Sequence, residues 1–170
     1  LKLTQDGIVV ALFGDGAMNE GYVLEALNLA AVFSLPILFV LANNHYAMST
    51  AIDHVTRRPL YVRAEAMGLE SYHLEALDVG ELWSLSGSLI EKMRQDRIPR
   101  FIEIKTFRFS GHSKSDKREY IPSEEDEYWH AHDPLIKARN ALSNEFIKEC
   151  ESRAEAKIKE AIEKIEKESK

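Results

Sequence analysis

The sequence has almost no cysteine, no long apolar run and no block of basic residues. Cys150 is the single cysteine among 170 residues, which excludes an intrachain disulfide. The longest apolar stretch, around residues 37–42, is far shorter than the roughly 20 residues that span a bilayer. The net charge is −6, without a run of Lys and Arg. We therefore expect neither a membrane nor a nucleic acid as partner.

Length and composition predict one globular domain, because 170 residues that are 45% hydrophobic can bury a core. The N-terminus lacks the charged-then-apolar pattern of a signal peptide. It also lacks an initiator Met, and few residues precede the first apolar run. We expect the sequence to be the C-terminal part of a longer chain.

Two short apolar runs, at residues 8–13 and 37–41, have the length and β-branching of buried strands. Between them, residues 20–33 change to a helical period, and Pro36 marks the end of that helix. A strand, a helix and a second strand form a βαβ unit, so the strands should be adjacent and parallel.

The remaining chain continues the alternation of helices and strands. We predict an irregular segment at 45–58, a short helix at 59–67, a strand at 72–77, a helix at 82–93, a strand at 101–109, a loop at 110–121, and helices near 124–130, from 133 and from 144. The fold class is therefore α/β, a parallel sheet flanked by helices. We expect a domain over residues 1–142 and an amphipathic helical tail over 143–170.

The tail carries one apolar seam whose members are three or four residues apart. These are Ile147, Cys150, Ala154, Ile158, Ala161 and Ile165. Such a seam packs either on its own domain or on a partner subunit, and the sequence leaves both interpretations open.

The chemistry-bearing residues follow the two predicted strands. Gly14-Asp15-Gly16-Ala17 comes after the first strand, and Asn43-Asn44 after the second. Ligands of open α/β sheets bind at this carboxyl edge. The Asp15 carboxylate and the Asn44 amide oxygen are hard donors that suit Mg²⁺. Each pair alone is ordinary turn chemistry. Their joint placement predicts a cradle for a Mg²⁺-bound diphosphate, with no dinucleotide or Walker motif present.

Three segments carry a family resemblance. Residues 14–21, Gly-Asp-Gly-Ala-Met-Asn-Glu-Gly, together with Asn43-Asn44, resemble the thiamine-diphosphate motif. Residues 106–116, which include Gly111-His112-Ser113, resemble the loop of 2-oxo acid dehydrogenase (E1) α subunits. Tyr128-Trp129 and residues 133–136 resemble the C-terminal region of that family. The family includes pyruvate, branched-chain and acetoin dehydrogenases, so the resemblance implies the thiamine-diphosphate-binding fold.

The resemblance also implies roles for individual residues. Mg²⁺ would bind Asp15 and Asn44 through side-chain oxygens and Tyr46 through its backbone carbonyl. The cofactor-binding residues would be Gly14, Asp15, Gly16, Ala17, Asn44, Tyr46, Arg108 and His112.

Arg108 and His112 also fit these roles on chemical grounds. Arg108 is permanently charged and can grip phosphate with two N–H groups. His112 can titrate near neutral pH and donate a proton, which makes it the candidate catalytic residue. The alternative for each is an ordinary solvated side chain. Ser113 matches the serine that mitochondrial relatives phosphorylate, and we do not infer that regulation.

The implied activity is oxidative decarboxylation of a 2-oxo acid, or cleavage of acetoin, with transfer of the acyl group to a lipoyl carrier. The implied partners are a β subunit in an α2β2 enzyme and a lipoyl-bearing E2 acyltransferase. The β subunit would supply the glutamate that activates the cofactor. We expect a cytoplasmic enzyme, or a mitochondrial matrix enzyme in a eukaryote.

Other interpretations stay open. A transketolase-like enzyme or a non-oxidative decarboxylase would share Asp15 and Asn44 but lack the loop around His112. A non-catalytic scaffold and a general Mg²⁺–phosphate module are further alternatives. Two departures from the family pattern are Ala42, where relatives often carry a charge, and Asp78-Val79-Gly80, where they often have an Asp-Gly turn.

Overall fold

The structure is a computed structural model that describes residues 7–75 and 78–168. The chain forms two compact units, the first ending at Ala131 and the second beginning at His132. The division that we predicted after residue 142 stays a prediction. Within the described residues, no helix is both long enough and apolar enough to cross a membrane.

The first unit is built on a parallel four-stranded sheet. Its strands are β1 (Val9–Gly14), β2 (Ile37–Asn43), β5 (Glu70–Glu75) and β6 (Arg100–Lys105), in the spatial order β1-β2-β6-β5. Gly14 lies opposite Ala42, and Asn43 lies opposite Lys105, so these carboxyl ends are level. The predicted βαβ unit and fold class are confirmed.

Three helices flank this sheet: α1 (Gly21–Val32), α2 (Tyr61–Ala66) and α3 (Val79–Asp96). Two apolar clusters cover opposite faces, because successive side chains of a strand alternate. Phe39 and Leu41 pack with Leu27 of α1, whereas Leu38 packs with Met93 of α3. Burial on both faces explains why the β2 sequence is continuously apolar.

β1 forms one edge of the sheet among the described residues, and its only described neighbour is β2. Val9, Val10 and Leu12 on this strand are exposed, Leu12 by 71%. Within the described residues, this edge is therefore an apolar surface.

Asp78 begins α3, because its side chain accepts hydrogen bonds from the backbone N–H groups of Gly80 and Glu81 at 2.9 and 3.2 Å. The unusual Asp78-Val79-Gly80 sequence is thus a helix N-cap. Arg97 ends the helix in the left-handed conformation with φ 61°. The strand predicted at 72–77 corresponds to β5, which ends at Glu75 in the structure. Residues 76–77 of that prediction lie outside the described ranges.

The predicted strand from 101 to 109 is too long, since β6 ends at Lys105. The two phenylalanines beyond it pack on α4 (Ser123–Ala131). Phe107 stacks on Trp129 with ring centroids 5.4 Å apart, and Phe109 contacts His130 at 5.1 Å. The first part of this apolar run therefore forms a strand, and the second part forms a loop that packs on a helix. Hydrophobic periodicity alone does not show where the strand ends.

Residues 45–58, predicted as irregular, contain a small antiparallel hairpin and a turn of 3-10 helix. The hairpin strands are β3 (Tyr46–Ala47) and β4 (Thr50–Ala51), and the 3-10 turn is Ile52–His54. We call residues 44–51 the cation turn, because they carry two of the three predicted Mg²⁺ ligands.

The second unit consists of α5 (Pro134–Ala141) and α6 (Asn144–Glu168). The Asp133 side chain caps α5 by accepting a hydrogen bond from Leu135 N–H at 2.8 Å. On α6, the seam residues Ile158 and Ile165 are exposed, as is Ile162 beside them. Both interpretations of the seam, packing on its own domain or on a partner subunit, therefore stay open.

Candidate cofactor-binding site

Asp15 stands at the carboxyl end of β1 and is only 2% exposed. Its Oδ2 atom is buried without a hydrogen-bond partner among the described residues. Burial raises the pKa of the carboxyl, although the backbone N–H groups of Asp15 and Asn44 and the charges of His45 and Arg108 oppose the rise. A buried carboxylate oxygen without a partner is costly. A bound cation would remove that cost.

The two asparagines after β2 have different surroundings. Asn43 is buried, donates from Nδ2 to Glu103 Oε1 at 2.7 Å, and accepts from His45 N–H at 3.0 Å. Asn43 therefore fastens the turn to β6. Among the residues that the structure describes, the Asn44 amide oxygen accepts one hydrogen bond, from Tyr46 N–H at 3.1 Å, and an amide oxygen has a second lone pair. Asn44 is thus able to accept a cation.

Tyr46 lies in a strained stretch of backbone. His45 and Met48 both have positive φ, at 66° and 56°, which is unusual for residues with side chains. The His45 carbonyl accepts from Ile52 N–H at 2.8 Å. Because antiparallel pairs alternate between bonded and non-bonded, the Tyr46–Ala51 pair is non-bonded. The Tyr46 carbonyl consequently points away from β4.

The Tyr46 hydroxyl is held by a carboxylate. It donates to Glu125 Oε2 at 2.8 Å. Burial, and then the Glu125 carboxylate, raise the pKa of Tyr46 to about 12. The hydroxyl stays protonated at physiological pH and keeps this bond.

Gly16 lies where the loop after β1 meets the cation turn. A Cβ on Gly16 would come within 2.9 Å of the Ala47 side chain, so only glycine permits this approach. A Cβ on Gly14 would meet nothing closer than 3.9 Å. Ala17 opens a 3-10 turn, and α1 begins later, at Gly21. The element directly after the loop is therefore this 3-10 turn and not α1, and within it Asn19 N–H donates to the Gly16 carbonyl at 3.2 Å.

Arg108 connects the loop after β6 to the cation turn. Its Nη2 donates to the Met48 carbonyl at 2.7 Å and to the Tyr120 hydroxyl. Its Nε is buried without a partner in the described part of the chain. The Arg108 charge also acts on the Asp15 carboxyl. An anion that reached this Nε would satisfy it.

His112 lies on the exposed part of the same loop, held by its backbone. Its N–H donates to Asp116 Oδ2 at 2.7 Å, and the Tyr120 hydroxyl donates to the same oxygen at 2.7 Å. A hydrogen bond from Arg118 N–H, and then those from His112 N–H and the Tyr120 hydroxyl, lower the pKa of Asp116 to about 2. A Cβ on Gly111 would collide with the backbone oxygen of Asp116. The loop is thus folded around one carboxylate.

The structure brings Asp15, Asn44, Tyr46, Gly14, Gly16, Ala17 and Arg108 to one edge of the sheet, and it links His112 to Arg108 through Asp116 and Tyr120. Sequence reasoning missed Asp116, Tyr120, Glu103 and Glu125. Asp116 stands inside the quoted loop motif, whereas nothing in the sequence marks Glu125. No group of three or more His, Cys, Asp or Glu that could hold a metal occurs in the described ranges. A cation here would depend on one carboxylate and neutral oxygens.

Acidic and amide oxygens at the carboxyl edge of a parallel sheet are typical of α/β proteins that hold a phosphate-bearing cofactor through a metal ion. Residues 3–170 match the family described as dehydrogenase E1 component. The chain belongs to this family.

Several relatives carry the description pyruvate dehydrogenase E1 component subunit alpha. The protein of Rickettsia felis is 35% identical over 164 residues, which cover 92% of this chain and 50% of the relative. That of Rickettsia conorii is 35% identical, with 95% and 49% covered. A chloroplastic subunit alpha-3 of Arabidopsis thaliana is 34% identical, with 96% and 39% covered. The chain thus spans about half the length of the Rickettsia relatives.

Proposed function

We propose that this chain is the cofactor-holding part of a pyruvate dehydrogenase E1 α subunit. The enzyme would oxidatively decarboxylate pyruvate and pass the acyl group to a lipoyl carrier. The observation that carries this proposal is the buried, unpaired Oδ2 of Asp15 at the carboxyl edge of the sheet. The names of the relatives support pyruvate as the substrate.

The residues around Asp15 fit a Mg²⁺ ion. Asp15 would supply the anionic ligand, Asn44 its free amide lone pair, and Tyr46 its backbone carbonyl. Diphosphate oxygens and water would complete the shell, as is usual for this cation. The unpaired Asp15 oxygen and the outward Tyr46 carbonyl support this assignment.

The residues around the 3-10 turn fit the diphosphate. Gly14, Gly16 and Ala17 would let the backbone approach it, and Arg108 would contribute its unpaired Nε. Thiamine diphosphate, when bound, supplies the carbanion-stabilising chemistry of decarboxylation. This chain would bind the cofactor, orient it and exclude water from the site.

His112 is the residue that we propose as catalytic. Its imidazole would donate a proton to the developing negative charge of the substrate, and it would also lie against the cofactor. The Asp116 carboxylate fixes the backbone of His112 and leaves the ring free of hydrogen bonds within the described residues.

The assembly that we propose is an α2β2 E1 enzyme that works with a lipoyl-bearing E2 acyltransferase. The compartment would be the cytoplasm, or the mitochondrial matrix in a eukaryote. Residues 1–142 would form part of the thiamine-diphosphate-binding domain, and 143–170 its helical tail.

The test uses the full α subunit co-purified with its β subunit. Reduction of an artificial electron acceptor is followed with Mg²⁺, thiamine diphosphate and, in turn, pyruvate, branched-chain 2-oxo acids and acetoin. Cofactor-dependent reduction with pyruvate supports the proposal. Reduction with one of the other substrates alone would correct the substrate, and no reduction with any of them would overturn the assignment.

A further inference from the structure

Glu125 reaches the cation turn from a helix far along the chain. Its Oε2 accepts from the Tyr46 hydroxyl at 2.8 Å, across 79 residues of sequence. Its Oε1 lies 3.9 Å from His45 Nδ1. The carboxylate therefore faces two consecutive residues of the turn.

The turn needs such an attachment because its backbone is strained. His45 and Met48, in the left-handed region, stand on either side of Tyr46. Residues with side chains persist in this region only where the surrounding contacts hold them there. Tyr46 is the one buried side chain among residues 45–48. Its hydroxyl is the side-chain point at which α4 holds the turn, beside the bond from Arg108 to the Met48 carbonyl.

Helix α4 is itself firmly attached, so it can act as that support. Trp129 stacks on Phe107 with the rings nearly parallel, at 5°. Asp126 forms an ion pair with Arg118 of the loop that follows β6. Glu125 thus links the cation turn to the segment that carries Arg108.

We propose that Glu125 is a positioning residue for the cation site and that it acts through the Tyr46 hydroxyl. By holding Tyr46, it keeps the Tyr46 carbonyl and the Asn44 amide oxygen beside Asp15. This inference rests on the proposed function, since it assumes that the turn binds Mg²⁺ with the cofactor. According to this inference, α4 contributes to cofactor affinity, although no motif in the sequence of α4 indicates such a role.

The test measures the Mg²⁺ concentration that gives half-maximal thiamine-diphosphate binding to the assembled α–β enzyme. Calorimetry measures the binding, and thermal unfolding without cofactor is followed in parallel. Glu125→Ala and Tyr46→Phe should each raise that concentration about tenfold, which is the size expected from losing one hydrogen bond to a charged group. The double variant should also lie about tenfold above wild type, because both changes remove the same bond.

Two further variants separate positioning from general stability. Glu125→Gln keeps an oxygen that can accept from Tyr46 and should restore nearly wild-type Mg²⁺ dependence. Glu124→Ala changes an exposed neighbour on the same helix and should leave the Mg²⁺ dependence unchanged. Phenylalanine at position 46 keeps the ring beside Tyr120. If Glu125→Ala does not fold, the Tyr46→Phe variant therefore still tests the inference.

Unchanged Mg²⁺ dependence in Tyr46→Phe would overturn the inference, as would additive effects in the double variant. So would a Glu125→Gln variant as weak as Glu125→Ala. These outcomes require that the wild-type enzyme binds Mg²⁺ and thiamine diphosphate. A wild-type enzyme that binds neither would instead refute the proposed function.

Discussion

Replacing Asp15 with asparagine should have opposite effects on stability without and with cofactor. Without cofactor, the buried carboxylate has one oxygen without a partner, and its pKa is raised. Asparagine is neutral and keeps one oxygen for the N–H groups of Asp15 and Asn44. The substitution removes the buried charge, although one polar atom of the amide stays without a partner among the described residues, and this relief is worth on the order of 1 kcal/mol. For a unit of the size of this chain that corresponds to roughly 2–4 °C in Tm, and the shift in the larger assembled enzyme should be smaller.

Saturating Mg²⁺ and thiamine diphosphate should reverse that order. A ligand present at 100 times its Kd stabilises the folded state by about 2.7 kcal/mol. Wild type gains this stabilisation, whereas the Asp15→Asn variant lacks the anionic ligand and gains almost none. The stability difference between the variant and the wild type without cofactor also depends on pH. A raised carboxyl pKa means that the folded wild-type protein holds the Asp15 proton more tightly than the unfolded chain does. The variant's advantage without cofactor should therefore shrink as the pH falls through the folded pKa of Asp15.

The assay is thermal unfolding of the assembled enzyme, stripped of cofactor and then reloaded. The expected result is a crossing, with the Asp15→Asn variant higher without cofactor and lower with it. A variant that is less stable without cofactor would show that the carboxylate has a partner in the fold. Equal stabilisation of both proteins by Mg²⁺ and cofactor would refute the cation site.

Three further predictions concern other parts of the chain. His112→Ala should lower turnover by about 10²–10⁴-fold and leave Tm unchanged, because the side chain is exposed; near-normal turnover would make His112 a bystander. Gly16→Ala should weaken cofactor binding, measured by calorimetry, and cost about 1–3 kcal/mol in urea unfolding; Gly14→Ala, where a Cβ has room, is the control for the unfolding measurement only. The ion pair with Arg100 lowers the pKa of Asp96 to about 2, so its stabilisation is full above the unfolded pKa and is lost as pH falls through the folded one. Asp96→Asn should flatten that part of the acid-unfolding curve, and an unchanged curve would contradict this.

The sequence was sufficient to place Asp15 and Asn44 at the same edge of the sheet. Each follows a continuously apolar run, and the only sensible connection between the runs is a helix, so the strands had to be parallel. The register of β1 and β2 bears this out, because Gly14 lies opposite Ala42. This placement was predictable because it depends only on local sequence patterns and on a general rule of chain connection.

The contacts of Glu125 and Phe107 could not be predicted in this way. Glu125 is one of several acids in the first turn of α4, and only the packing of that helix selects it for Tyr46. Phe107 continues an apolar run that suits a strand equally well, and Trp129 gives it a different partner. Both depend on tertiary packing between segments that are far apart in sequence.

The free edge of β1 has a practical consequence for handling the protein. Within the described residues, β1 pairs with a strand on one side only and exposes Val10 and Leu12, which makes this edge a template for pairing with another chain. Such edges favour aggregation unless a strand, helix or charged side chain covers them. Produced alone at high concentration, the 170-residue chain is expected to be limited by self-association before cofactor affinity can be measured. The surface responsible for this self-association is the side of β1 that faces away from β2. Leu12→Lys would be the first substitution to make for solubility.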